Sequence, residues 1–254
     1  MDTWNFVLFC LIYLPLHFFL PATLAYYFVW RPRFSQRRIL PDSAVPAPCL
    51  RREILLSSLN MGLFSGFFVA LYFLQQIGLT KIYVDFSAYG WGYAVVSFLV
   101  LFLVQDIYHY WLHRLLHQPF FYKHIHRIHH LSINVTPFAS YAIHPLEGAL
   151  EMGFLALLVW VMPLHFSVIF AYSSFLVMFN IISHLGYEFY PAWVSRFFVT
   201  STQHNLHHWR NEGNYMLYFP LWDQLFKTRD PQGALLHQAL HARIKRCDST
   251  RPRG

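Results

Sequence analysis

Sixteen histidines in 254 residues carry the chemistry of this sequence, and thirteen of them lie between His109 and His208. Most are grouped. His109-Tyr-Trp-Leu-His113 is followed one turn later by His117, while His126-Arg-Ile-His129-His130 and His204-Asn-Leu-His207-His208 repeat a single spacing. Residues at i, i+3 and i+4 share one face of an α-helix. At about 100° per residue, each His-x-x-His-His motif spans an arc of about 100°, and His109 and His113 stand about 40° apart. Each cluster can therefore aim its imidazoles at one point. Converging neutral imidazoles suit iron, copper, nickel or zinc. The eight in these clusters exceed what one tetrahedral zinc needs, so two metal ions with about four imidazoles each fit the count. His184 is a ninth candidate. It closes an apolar stretch in Ser183-His184-Leu185-Gly186-Tyr187-Glu188, where a polar group facing a polar cavity tends to be functional. The isolated His17, His165, His237 and His241 read as structural. His117, His124 and His144 stand evenly between structural and site roles, with His124 pointing away from His126.

The elements that must hold these histidines are membrane helices. The chain is 56% hydrophobic, 20% aromatic and only 12% charged, with a mean hydropathy of +0.34. Soluble domains carry roughly 25% charged residues, so an ordinary soluble enzyme and a disordered chain are both excluded. Residues 5–30 carry no charge, and a spanning helix needs about 20 apolar residues. Further apolar stretches cover 54–79, 89–104, 155–163 (beginning near Leu150) and 166–182. Pro15 and Pro21 predict kinks in the first, which neighbouring helices accommodate. Met1-Asp2-Thr3 is not a basic leader region, so the first stretch reads as an uncleaved anchor.

Five crossings with an outside N-terminus put 18 of the 19 Lys and Arg residues on one side. The positive-inside rule makes that side cytoplasmic, and every histidine cluster falls on it. The expected architecture is an all-α integral membrane protein with about four to five transmembrane helices. A cytoplasmic helical cap carries the histidines, and the fourth span is short enough to be a re-entrant half-helix. Residues 31–52 read as a cytoplasmic connecting loop, 231–254 as a frayed C-terminal tail, and 1–254 as one domain. The net charge of +7 is assigned to membrane orientation, and no nucleic-acid partner is expected. Cys10, Cys49 and Cys247 are odd in number and far apart, so neither a disulfide framework nor a thiolate metal site is expected.

With these motifs in place, the chain resembles the fatty acid hydroxylase/sterol desaturase superfamily of membrane-bound di-iron oxygenases. Asp106-x-x-His109-Tyr-Trp-x-His113-Arg114 resembles its first box, and Tyr122-Lys123-x-His126-x-x-His129-His130 its second. His144-Pro145-Leu146-Glu147, His184-x-Gly186-Tyr187, Asn214-Tyr215 and Trp222-Asp223-x-x-Phe226 resemble intermediate and trailing motifs, so the similarity runs over about 90–228. The resemblance implies two iron ions, O2 as co-substrate, and oxidation of an unactivated C–H bond of a membrane lipid, sterol or fatty acyl. Hydroxylation is the first expectation and desaturation on the same site the alternative. It carries over His109, His113, His126, His129, His130, His184, His204, His207 and His208 as iron ligands. Asp106 is a candidate acceptor for a ligand N–H, with His144 and Glu188 as further supporting candidates. Glu188 stands where fatty acid 2-hydroxylases carry another histidine, and whether Glu188 or His117 ligates stays open.

The sequence has no Gly-x-Gly-x-x-Gly fingerprint and no His-Pro-Gly-Gly haem motif. A separate electron donor of cytochrome b5 or ferredoxin type, with an NAD(P)H reductase, is therefore expected. The flanks and compact size suggest a bacterial inner membrane, or the endoplasmic reticulum membrane in a eukaryote. A histidine-rich metal transporter and a haem carrier are the competing classes. Transport sites favour the bilayer midplane, whereas these clusters lie beyond the span ends.

Overall fold

The computed structural model describes residues 2–30, 37–40 and 45–249, without the side chains of 234, 237 and 243–249. Arg31, Arg33 and the Arg251–Gly254 end lie outside the described residues, as do the side chains of His237 and Cys247.

Among the described residues, four helices are long and apolar enough to cross a membrane. Helix α1 (Thr3–Ala25) continues through a π-helical turn (Tyr26–Trp30), and both of its prolines are accommodated. Helix α2 covers Ala47–Gln76, α3 Gly90–Leu116 and α7 Phe166–Ser183. Between α3 and α7 lies α6 (Pro145–Val161), with 17 residues. At 1.5 Å per residue it reaches about 26 Å, short of the roughly 30 Å hydrocarbon core. It nevertheless runs the whole way between the two ends of the bundle. At its far end β1 (Ile82–Tyr83) pairs in parallel with β2 (Leu164–His165). There Lys81 Nζ donates to Val161 O at 2.9 Å, and Thr3 is bonded to Tyr72 at 3.2 Å. The chain thus traverses the bundle five times, and both short connections, 77–89 and 162–165, share the end away from the histidines.

The traverses close a ring in which α1 packs on α2 and α7, α2 on α6, α6 on α3, and α3 on α7. Phe6, Cys10, Phe68, Leu101, Phe154, Val159 and Tyr172 fill its interior. Leu11, Leu16, Leu20, Leu59, Leu99, Leu103 and Leu157 point outward. An outward apolar surface of this extent, on helices long enough to span, fits a bilayer around it.

Two expectations change. Residues 47–52 belong to the first turns of α2, so the connecting loop ends earlier than 52. The segment after Asp230 is not frayed over its described length: a last helix spans Pro231–Ser249. Asp230 Oδ1 accepts from Gln232 N at 2.9 Å to start the helix, and Leu236 and Leu240 pack on Ile39 and Leu40.

Candidate metal centre

Four segments deliver the histidines to one end of the ring. Helix α3 continues past its apolar stretch and carries His109 and His113 in its last turns, with His117 as its C-cap. The second box lies on a broken helix: α4 (Pro119–Phe121), a π-helical turn (Tyr122–His126) and α5 (Arg127–His130). Such π turns often mark functional sites. His184 caps α7, and α8 (Ser201–Arg210) carries the third box.

The sequence suggested that each box aims at one point. Instead, the second and third boxes are each divided. His113, His117, His126, His130 and His207 form one group, and His129, His184, His204 and His208 a second; within each, the candidate ligand atoms lie within 4.8 Å of one another. The split follows helix geometry. Residues at i and i+4 nearly superpose, whereas i+3 lies about 60° to the other side of i. His126 and His130 therefore go together and His129 goes to the second group; His204 and His208 go together and His207 goes to the first. In the first box the i, i+4 pair that meets is His113 and His117. His109 lies outside both groups and its Nδ1 meets Glu151 Oε1 at 3.0 Å.

The second nitrogen of four rings is fixed by acceptors. His113 Nδ1 donates to Tyr215 O (3.1 Å), His126 Nδ1 to Glu147 Oε1 (2.8 Å), His207 Nδ1 to Gly213 O (2.6 Å) and His184 Nδ1 to Asn180 O (2.8 Å). A neutral ring with its proton on Nδ1 presents a bare lone pair at Nε2. Yet His113 Nε2 stands 3.1 Å from His126 Nε2 and 3.0 Å from His207 Nε2. Between His113 and His207, whose Nδ1 protons both go to backbone carbonyls, no proton is available to bridge, so bare lone pairs face one another. A cation among them turns that repulsion into coordination. Nitrogens at about 2.1 Å from one ion stand about 3.0 Å apart when at right angles, which is the spacing found. The second group repeats it, with His204 Nε2 2.9 Å from His184 Nε2 and 3.2 Å from His208 Nε2. Burial first, and neighbouring imidazoles second, hold His126, His130, His204 and His208 well below the usual histidine range. His129 and His207 are likewise held well below it, chiefly by burial. Burial takes His117 and His184 down to about 4. These rings are neutral at pH 7, the state that binds metal.

The carboxylates take other places than expected. Asp106 accepts from Tyr218 N (2.7 Å), Phe219 N (3.3 Å) and Trp222 Nε1 (2.8 Å), not from a ligand ring. Asp223 accepts from Tyr215 N and Met216 N. Together they pin the strand of chain that offers Tyr215 O and Gly213 O to the cage. Gly213 is obligatory there: its φ is +64°, and a Cβ would collide with Thr228 O. Glu188 accepts from Thr202 N (3.3 Å) and Thr202 Oγ1 (2.7 Å), at the N-terminus of α8, where negative charge is favoured. His144 caps α6 through Leu146 N at 3.2 Å. His124 is exposed and bonded to Phe120 O. Glu147 and Glu151, one helical turn apart at the start of α6, are the residues that touch histidines. Their sequence signal was a carboxylate pair at i, i+4 opening an apolar run.

The segment from Leu131 to His144 is clamped by α1 and α2. Trp30 Nε1 donates to Val135 O at 2.9 Å, Arg52 to Ser132 Oγ at 3.0 Å and Thr136 to Glu53 Oε2 at 2.6 Å. Asn60 Nδ2 holds Tyr141 O and Ile143 O. Beneath the cage is a cavity lined by His109, His113, His126, His129, His184 and His204, among others. Phe64, Tyr141, Met152 and Leu176 line both it and a second, more apolar cavity inside the ring. The two cavities are therefore neighbours, and an apolar ligand in the first would lie against the histidines.

Two buried imidazole groups that could each hold a metal ion, at the head of a cavity in a helical membrane protein, have the make-up of a metal-binding membrane enzyme. Comparison with known proteins gives the kind. The family model "Fatty acid hydroxylase" matches residues 98–228. Lathosterol oxidase of Rattus norvegicus is 32% identical over 216 residues, covering 82% of this chain and 69% of that protein. The Homo sapiens lathosterol oxidase matches equally. A Delta(7)-sterol 5(6)-desaturase of Aspergillus fumigatus is 33% identical over 244 residues, covering 86% and 74%. No solved structure matches the chain. The chain belongs to the fatty acid hydroxylase family and is a membrane oxidoreductase; the transporter alternative finds no support.

Proposed function

We propose that the protein is a di-iron enzyme that oxidises a sterol or sterol-like lipid with O2, introducing a double bond. The observation that carries this is the pair of converging imidazole groups at the head of a cavity inside the bundle. Relatives named as sterol desaturases and lathosterol oxidases favour desaturation, the alternative in the sequence reading, over hydroxylation. Nine histidines would hold the metals: His113, His117, His126, His130 and His207 one ion, and His129, His184, His204 and His208 the other. His117 replaces His109 in the set read from the sequence. When bound, the irons supply the oxidising power, drawn from O2, that breaks an unactivated C–H bond. Desaturation balances as two C–H hydrogens, O2, two electrons and two protons giving C=C and two waters; hydroxylation would give one alcohol and one water.

The chain's own residues do the rest. Glu147, Tyr215 O, Gly213 O and Asn180 O orient the rings and keep the proton on Nδ1. The aromatic wall excludes water from the cavity and aligns an apolar substrate. Electrons would come from a separate donor of cytochrome b5 or ferredoxin type, and the basic chain suits an acidic one. The histidine end would be cytoplasmic by the positive-inside rule, and 1–254 would act as one domain. A bacterial inner membrane draws no support from the relatives named, which come from animals and a fungus; they favour the endoplasmic reticulum.

The test is metal content of detergent-purified protein, followed by incubation with lathosterol, O2 and a reductase system. About two irons per chain and a product two hydrogens lighter are expected. One metal or none in folded protein would overturn the dinuclear site; an unaltered sterol with O2 uncoupled would overturn the substrate.

A further inference from the structure

One turn nearer the membrane interior than the cage, a polar trio interrupts the cavity wall. Glu151 Oε1 meets His109 Nδ1 at 3.0 Å, and Glu151 Oε2 accepts from Gln105 Nε2 at 3.1 Å. All three residues line the cavity. Gln105 is 1% exposed, and its Oε1 has no partner among the described residues. The amide cannot be turned round, because its oxygen would then face the carboxylate. His109 is similarly committed: its Nδ1–H goes to Glu151, leaving Nε2 as the ring's other hydrogen-bonding atom. The wall therefore offers a buried carbonyl oxygen with nothing to accept from, beside a carboxylate already spent on two donors. A buried acceptor left unpaired bears the full cost of its lost hydration.

We propose that this trio is a recognition site for a hydroxyl group on the lipid substrate. The chemistry selects the occupant. Gln105 Oε1 requires a donor, which excludes ketones, esters and ethers. Glu151 repels an anion, which excludes a free carboxylate or a phosphate headgroup. An alcohol satisfies both conditions: its O–H donates to Gln105 Oε1, it carries no charge for Glu151 to repel, and the bare His109 Nε2 is a second acceptor to which the same O–H can turn. His109 and His113 are one turn apart, about 6 Å, so the oxidised carbon would lie within a few bonds of that hydroxyl. The polar trio sets which end of the lipid enters first and which carbon reaches the metals. His109 then has a reason to sit outside both metal groups. The inference rests on the lipid-oxidising reading above, and on the sterol assignment only for the choice of probe.

The experiment is equilibrium binding to the metal-loaded protein in nanodiscs, with two ligand pairs: lathosterol against its deoxy analogue, and hexadecanol against hexadecane. Wild type is expected to prefer the hydroxylated member by about tenfold, the value of roughly one such bond. Gln105→Met, close in shape but without the amide, should erase the preference and retain both metals. If that variant fails to fold, His109→Phe gives the second reading and should narrow the same preference, again with both metals in place. Preference for hexadecanol without any sterol binding would leave the hydroxyl site standing and overturn the sterol reading alone. Equal affinity within both pairs in wild type would overturn the proposal, assigning a bound water only to Gln105. So would a preference that survives Gln105→Met, or loss of a metal in His109→Phe.

Discussion

Glu147→Ala tests the cage at a single atom pair. Glu147 is buried at 4% exposure, and its Oε1 accepts from His126 Nδ1 at 2.8 Å. His126 Nε2 in turn stands 3.1 Å from His113 Nε2 and 3.0 Å from His130 Nε2, at the middle of the five-histidine group. Without the carboxylate, the ring loses the acceptor that fixes its tautomer and direction. Removing such an outer partner costs about 10–100-fold in metal affinity, or about 1.4–2.8 kcal/mol. Among the described residues Glu147 is bonded to His126 and to no histidine of the second group, so the loss should fall on one ion. The assay is chelator competition on purified protein, with metal counted per chain at each chelator concentration. Wild type should release two ions in one range. Glu147→Ala should release one of them at a chelator concentration about 10–100-fold lower, and Glu147→Gln, whose amide oxygen can still accept, should fall between. Equal weakening of both ions, or unchanged release with the fold intact, would refute the division of the histidines into two groups.

Other substitutions probe different joints. His117→Ala should lower metal content to near one ion per chain while His109→Ala retains two; elemental analysis of the pair decides which histidine partners His113. Asp106→Ala removes the acceptor of Tyr218 N, Phe219 N and Trp222 Nε1, and should cost roughly 3 kcal/mol of stability, read as a lowered unfolding temperature in detergent. Gly148→Ala drives a methyl into Asn60 Oδ1, whose amide is tied to Leu56 O, Tyr141 O and Ile143 O. It should destabilise by about 1–3 kcal/mol, measured in the same way. Chelation of the wild type should lower the same unfolding temperature, and readdition of ferrous iron without O2 should restore it.

The sequence made the membrane helices and the histidine content plain, because both are written in local composition. The first box shows where local reasoning stops. His109, His113 and His117 are successive i+4 steps on one stripe of α3, so periodicity ranks His109–His113 and His113–His117 equally. The choice is made by α6, which brings Glu151 against His109. Likewise an arc of about 100° is narrow enough to suggest one target and wide enough to serve two, and only the approach of α8 to the second box separates them. Asp106 stood a turn before a histidine, yet its partners come from 112 to 116 residues away. The helix over Pro231–Ser249 was hidden because its apolar content is thin; Leu236 and Leu240 suffice once Ile39 is beside them.

The five-histidine group joins residues 94 positions apart, from His113 to His207. All five membrane traverses precede the third box in the chain, so the helices can be made before the last of the clustered histidines. Until a cation arrives, the assembled nitrogens repel, so the finished cage is a poor resting place for an empty chain. On the proposed function, metal capture would be the closing act of biogenesis, and its binding free energy would be folding free energy for the cap. Iron-starved cells would then accumulate inserted but unlatched protein, its 117–144 and 199–230 segments open to proteases. Iron supply would set the amount of this enzyme as well as its activity.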